Sequence, residues 1–414
     1  MRNTLLATLF VLSLALTLQG AGWIDWYVDN TFEGDSTGTE AAPFKTIQEA
    51  VAASVASNAT FSADTIWIKG TGKPYIGPIE IPNKNAMRLA GYGEIKPEIT
   101  VTGEVAQTVI KSGDNYANPF YACMPPAQVG LENLIVKNDI PSPAGIFYCA
   151  DVQTWVSWEE SVREKPERMR FGVRNCEFYA SNGCVCFRLR DLDQRHNQSL
   201  LEADHWSMVW NCKFQGEGDL MHLSSQEKAL VVSNTFLGGG RAMVFEGWTN
   251  AVYSRLTENI KIKQNLFFGQ KDAVFYSGVC DDLEFSHNTC VLNSGTHISL
   301  TDTGLDPRST TYVEDNIFQK GESPVQFAEE SWSEKVKFSD NLFEEVASYG
   351  EYPVEGEAKF VSTDPEDPDF LRPNADSDAD RGGYYLGALA PIPEPACVFA
   401  LALIAALIFR KNRV

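Results

Sequence analysis

The sequence predicts an all-β protein: a single-stranded, right-handed parallel β-helix (solenoid) with an N-terminal capping helix. Three observations predict it: a strand-like unit that recurs along the chain, a column of asparagines that punctuates it, and a second strand after each repeat. The unit reads Val129-Gly-Leu-Glu-Asn133-Leu-Ile, Phe171-Gly-Val-Arg-Asn-Cys176-Glu-Phe, Met208-Val-Trp-Asn-Cys212-Lys-Phe and Val231-Val-Ser-Asn234-Thr-Phe. It continues as Ile260-Lys-Ile-Lys-Gln-Asn265-Leu-Phe, Leu283-Glu-Phe-Ser-His-Asn288-Thr-Cys, Tyr312-Val-Glu-Asp-Asn316-Ile-Phe and Val336-Lys-Phe-Ser-Asp-Asn341-Leu-Phe.

Aligned on its punctuation, one column reads Asn133, Cys176, Cys212, Asn234, Asn265, Asn288, Asn316 and Asn341. From Cys212 onward the spacings are 22, 31, 23, 28 and 25 residues, as expected of a solenoid with variable turns. Successive parallel coils lie about 4.8 Å apart, so equivalent residues stack. An Asn at a turn can bond its neighbours in the stack and tolerates a left-handed backbone. A Cys fits the same slot as a small apolar residue. The residues two later, among them Phe178, Phe236, Phe267, Phe318 and Phe343, are expected to point into the core.

The second strands are Gly183–Phe187, Gly218–Leu223, Gly240–Phe245, Lys271–Tyr276, Gly295–Leu300 and Ser323–Phe327. Period-two alternation places Met221 and Leu223, Met243 and Phe245, Val274 and Tyr276, and Ile298 and Leu300 inside. It leaves outward Cys186 and Arg188, His222 and Ser224, Val244 and Glu246, Phe275 and Ser277, and Ser299 and Thr301.

A solenoid needs its end strands covered. Trp26–Asp29 reads as a strand and Gly34–Gly38 as a loop. Pro43 to Val51 begins a helix with Phe44, Ile47, Val51 and Val55 on one face. This order, continued through Asp64–Ile68 and Arg88–Gly93, resembles the opening of pectate-lyase-like β-helix proteins. Asp369-Phe-Leu, the acidic stretch from Asp376 to Asp380 and Gly387-Ala-Leu389 resemble the close of surface β-helices of this kind. The resemblance spans residues 24–390, within a predicted domain of residues 23–390.

Both ends of the chain carry export signals. Residues 1–22 combine Arg2, an apolar run from Leu5 to Leu18 and small residues at Gly20-Ala-Gly22, which predicts a secretory signal peptide. Residues 391–414 hold Pro393-Glu394-Pro395, an apolar segment from Ala396 to Phe409 and a basic cluster from Arg410 to Arg413. Fourteen apolar residues span only about 21 Å, short of the roughly 30 Å hydrocarbon core, so the segment is a marginal transmembrane anchor with the basic end inside. The three parts in this order resemble the PEP-CTERM sorting signal. That resemblance implies recognition of Pro393, Glu394 and Pro395 by a membrane sorting protease, with delivery to the envelope surface or extracellular matrix.

Hydrophobic content of 44% and charged content of 21% suit a chain that buries a core rather than a disordered one. A net charge of −21 excludes a nucleic-acid partner held over a broad basic field, while a local basic groove stays open. Nine cysteines form no CxxC pair and match no zinc spacing, so no metal or cofactor site is evident. Calcium stays open as a bridge between acidic protein and acidic glycan.

In β-helix lyases and hydrolases the active site lies on the outer face of one sheet. On the outward grid of the middle coils, Arg188, His222 and Glu246 are the ionisable residues, and a proton-abstracting lyase needs a base beside a cation. They are the candidate catalytic residues. Asp219, Arg241 and Asp272 are expected to stack at the preceding turn, either as substrate-binding groups or as a plain charge ladder. Two inserts, Asp151–Arg170 with Trp155 and Trp158 and Asp191–His205 with Arg195 and His196, would flank the same coils, and the tryptophans are candidates to stack on sugar rings. Of the polygalacturonase signatures only Asp281-Asp282 appears, beside Ser286-His-Asn288; the pectate-lyase calcium set and catalytic Arg are not recognisable. The expected partner is an extracellular polysaccharide, bound or cleaved; the alternative is a non-enzymatic structural or adhesive envelope protein.

Overall fold

The computed structural model describes residues 24–57, 63–81, 86–101, 109–112, 129–138, 147–149, 171–180, 187–190, 207–224, 229–246, 248–249, 254–255, 257–277, 280–300, 310–382 and 384–390. Among the described residues three long sheets, here sheets I, II and III, hold 11, 11 and 9 strands. Each full coil contributes one strand to each sheet in turn, as Ala229–Val232, Thr235–Gly238 and Arg241–Glu246 do. Every one of these strands pairs in parallel with its counterpart one coil on, for example Ala229 with Ile260, Thr235 with Leu266 and Arg241 with Ala273. The chain is a parallel β-helix.

The corner between sheets I and II explains the asparagine column. Two residues make each corner, and the first takes a left-handed backbone: Asn133, Asn175, Asn211, Ser233, Gln264, His287, Asp315 and Asp340 all have φ between 51° and 58°. The second residue turns inward. The left-handed conformation expected of the column itself therefore belongs to the residue before it. Asn133 sits in that outer row, and the inward slot of its coil holds Leu134, which is fully buried. An Asn followed by an apolar residue looks alike in either register, which is why Asn133 was misplaced by one position.

The remaining asparagines form a continuous spine. The backbone and side-chain N–H groups of Asn234 donate to Asn265 Oδ1 at 2.9 and 3.0 Å, and Asn265 donates likewise to Asn288 Oδ1 at 3.0 and 3.0 Å. Asn288 continues to Asn316 and Asn316 to Asn341. The second amide hydrogen of each donates to a main-chain carbonyl, such as Val209 O for Asn234 and Ile262 O for Asn288. Burial without cost requires this complete pairing. Cys176 and Cys212 occupy the same slot and are buried.

Phe178, Phe214, Phe236 and Phe267 stack face to face in the core at centroid spacings of 5.1, 5.0 and 4.8 Å. The sheet III phase differs from expectation in one coil. Phe275 pairs with Met243 and Ile298 and is fully buried, so it points inward and Tyr276 takes the outward register position beside Val244 and Ser299. Val274-Phe-Tyr276 is apolar throughout, so alternation alone does not set its phase.

The N-terminal cap is the helix Ile47–Ser57, which buries Ile47, Ala50, Val51 and Ser54. It starts at Ile47 and not at Pro43 because Thr46 and Glu49 form a capping box. Thr46 Oγ1 accepts from Glu49 N–H at 3.2 Å, and the Glu49 carboxylate accepts from Thr46 N–H at 2.9 Å. Phe44 precedes the helix, bridging to Val28 and packing on Trp26. Buried Asp64 ties the cap to the first strands, accepting from Ser54 Oγ at 2.6 Å and Trp26 Nε1 at 3.1 Å.

The C-terminal segment does something other than close the solenoid's end. After Val354–Glu355 it folds back along the outer face of sheet II. Phe370 and Leu371 pack with Leu237, Val291, Leu266 and Phe268, while Ala358, Ala379 and Leu386 pack with Ile317 and Leu342. Ala388 N–H donates to Thr289 Oγ1 at 3.0 Å. The strap covers apolar outward positions that would otherwise meet water. Among the described residues no helix is long and apolar enough to cross a membrane; residues 1–22 and 391–414, expected as signal peptide and sorting signal with Pro393, Glu394 and Pro395, lie outside the described residues.

Candidate functional site

The turn from sheet II into sheet III places Asp219 next to Arg241 of the following coil. Leu220 N–H donates to Arg241 O at 3.0 Å, which sets the two side chains side by side. Arg241 then grips the carboxylate with two donors, Nη2 to Oδ2 at 2.5 Å and Nε to Oδ1 at 3.0 Å, and its backbone N–H adds a third at 3.2 Å. His222, three residues along the same chain, donates Nε2–H to Asp219 Oδ2 at 2.9 Å. Burial pushes the Asp219 carboxyl up, but the His222 and Arg241 hydrogen bonds and charges outweigh it and hold the group well below the usual carboxylate range.

Arg188 pairs with His222, and His222 pairs with Val244, so these three share one row across the coils. In the structure Glu246 pairs with Ser224, two residues further along the strand. The side chains of Arg188 and Glu246 lie outside the described residues, as do Trp155 and Trp158 and both inserts. His222 is only 4% exposed and Val244 1%, so this row is not an open, solvated strip. Asp272 is exposed, and Ala273 rather than Asp272 is the register partner of Arg241, so Asp272 stands one position out of line with Asp219 and Arg241.

Chemically, this cluster is a carboxylate locked in its ionised form by a two-pronged guanidinium and an oriented imidazole. A general base must reach a substrate proton. Asp219 spends its lone pairs on Arg241 and His222, and His222 is sealed from solvent. His287, of the weak Ser286-His-Asn288 likeness, lies in the corner row with its Nε2 3.6 Å from Asp315, as a repeat position would have it. Among the described residues no group of three or more His, Cys, Asp or Glu side chains is arranged to hold a metal ion.

The sequence matches no protein-family model and no curated protein. Among solved structures, the crystal structure of Escherichia coli YbhC aligns over 78% of this chain and 76% of its own, with 12% identity and a TM-score of 0.36. At that distance the likeness carries no argument about activity, and the β-helix stands on its own strand register.

The outer face of sheet I also carries charged and aromatic side chains. There Glu132 receives both Arg88 and Arg174, the latter at 2.7 Å, and Arg88 lies over the Trp67 ring at 5.5 Å. Trp210, next to Arg174 in register, is 41% exposed. Period-two alternation in the first strand of each repeat contained this signal: if Val173 and Val209 point inward, Arg174 and Trp210 point outward.

Proposed function

We propose that the protein is an exported, envelope-surface β-helix that binds an extracellular polysaccharide as an adhesive component, without cleaving it at the His222 cluster. The observation that carries the non-cleaving half is the burial of His222 against an Asp219 already held by Arg241. Support for export comes from the two chain ends, which read as a signal peptide and a sorting signal that anchors the chain in the membrane until a sorting protease acts. A rigid solenoid with one long sheet face left uncovered by the strap suits a ligand that is itself extended and repetitive.

The full chain, held in mild detergent, would be passed over immobilised acidic and neutral polysaccharides, with unsaturated-uronate absorbance and reducing ends followed in parallel. Retention without product is the expected result. Product formation abolished by His222→Ala would replace this reading with a lyase or hydrolase. Retention on no glycan would leave a purely structural role. Elution by a calcium chelator would assign the bridging role to calcium.

A further inference from the structure

We propose that Cys176 and Cys212 are joined by a disulfide, a covalent rung that holds two neighbouring coils of the solenoid together. The inference concerns the interior of the coils and goes beyond the binding role. It shares with that role only the oxidising surroundings that an exported chain meets.

The register sets the two thiols together. Arg174 pairs with Trp210 before the corner and Glu177 with Lys213 after it, so Cys176 and Cys212 stack one above the other. The corner is clasped on both sides: Lys213 N–H donates to Cys176 O at 2.9 Å, and Asn211 Nδ2 donates to Asn175 Oδ1 at 2.8 Å. Both side chains are buried, and the two thiols are hydrogen-bonded to each other. Equivalent Cα atoms one coil apart lie about 4.8 Å from each other, within the roughly 4.4–6.8 Å that a disulfide bridges. The bridge also asks for Cβ atoms about 3.5–4.5 Å apart, so the two corner residues need only tilt together by a few tenths of an ångström.

Place in the spine gives the pair its use. The amide rungs run from Asn341 down to Asn234, whose Oδ1 accepts from Cys212 N–H at 2.9 Å. Below that point the slot holds Cys212, Cys176 and then Leu134. The sulfurs reach main-chain carbonyls, Arg174 O and Trp210 O at 3.3 Å and Val173 O at 3.6 Å, but a thiol is a poor acceptor for the coil beneath it. A covalent rung holds these two coils where the amides stop. Cys290 marks the contrast, since its register neighbours are Phe267 and Phe318.

The bond forms by exchange with a small-molecule or protein disulfide. One cysteine thiolate attacks that disulfide and expels a thiolate; the other attacks the mixed disulfide and expels the second. The two cysteines lose two protons, two electrons pass to the donor, and the donor departs as two thiols. Burial, followed by the contact with Cys212, pushes the Cys176 thiol well above its ordinary range, which withholds the attacking thiolate once the core has closed. Exchange therefore precedes closure of the coils, and the finished bridge is sealed from reductants.

For the test, the full chain is produced in cells with an oxidising interior, so that the result does not depend on export. Free thiols are alkylated under denaturing conditions without reductant, and the chain is cut after Lys, Arg and Glu. Mass spectrometry is expected to find Asn175-Cys176-Glu177 linked to the peptide Ala203–Lys213, two hydrogens lighter than the separate pair, with Cys290 alkylated. The unfolding temperature of the oxidised chain is expected to fall by a few degrees in reductant. Cys212→Asn, which sets an amide rung where the bridge was, is expected to remove that fall. Alkylated Cys176 and Cys212 in the folded chain, or either one bridged to a different cysteine, would overturn the inference, as would an undiminished fall in folded Cys212→Asn. Retention on polysaccharide bears on the binding role alone, so the two readings fail separately.

Discussion

Phe285 and Cys290 belong to one coil and exchange volume across the core. Phe285 stands in the sheet I position held by Ile262 one coil below and Val313 one coil above. Cys290 stands in the sheet II position held by Phe267 and Phe318. Where the phenylalanine stack is interrupted by a thiol, the opposite wall supplies the ring, 6.1 Å from Phe267 and 6.4 Å from Phe318.

Restoring the stack with Cys290→Phe should therefore overpack the coil and cost about 1–3 kcal/mol, because the space is already filled. Phe285→Val alone should cost a similar amount through the void it leaves. The double replacement should recover most of both losses. Denaturant unfolding of the four proteins reads the coupling, and additive costs would refute the exchange.

Removing one rung of the asparagine spine should be severe. Asn288→Ala strips the acceptor from two Asn265 donors and the donor from Ile262 O, all buried, and is expected to cost about 3–5 kcal/mol. Cys212→Asn should cost far less, since Asn234 Oδ1 already accepts from the backbone N–H of residue 212 at 2.9 Å and the spine would simply lengthen by one coil.

Buried His297 should set the stability of the solenoid on mild acidification. Its ring lies 5.0 Å from Phe318, Nε2–H donates to Lys320 O at 2.6 Å, and Nδ1 has no partner. Burial lowers its pKa to about 4. The unfolded chain takes up this proton near pH 6.5 and the folded one only near 4, so stability is complete above 6.5 and lost as pH falls towards 4. Between pH 7 and 5 the native chain should lose about 2 kcal/mol more than a His297→Gln variant. Parallel curves for the two would contradict this.

The Asp219 pair acts lower on the scale. Its folded carboxyl titrates below the ordinary range of about 3.9, so its contribution is present above that value and is lost as pH falls below it. Arg241→Gln should cost about 1–3 kcal/mol at neutral pH, and the difference from the native chain should narrow below pH 4. If the pair is structural, polysaccharide retention stays unchanged in that variant.

The strap is expected to detach before the coils unfold. Gly387 has φ of 86°, and a Cβ there would come within 2.6 Å of Ile317 Cδ1 and 2.7 Å of Thr289 Oγ1. Gly387→Ala should release residues 356–390 to limited proteolysis while the solenoid's circular dichroism stays intact.

Much of this molecule was legible in the chain because a solenoid repeats its contacts at short range. Asn234, Asn265, Asn288, Asn316 and Asn341 each answer to the same slot, and the residues two later, phenylalanine in every coil but that of Cys290, answer to the same core. Stacking at a fixed rise turns a one-dimensional period into a three-dimensional column, so composition and spacing were enough to determine the fold class, the spine and the existence of a capping helix. Asn133 and Phe275 were misplaced because a β-strand's faces differ by a single residue, and next to Leu134 or between Val274 and Tyr276 hydropathy does not choose between them. Only the tertiary structure decided those registers, through hydrogen bonds to the coils on either side. It alone decided that His222 is buried, that Asp219 is committed to Arg241, and that the strap lies along sheet II, since each depends on contacts between segments whose separation the repeat does not encode.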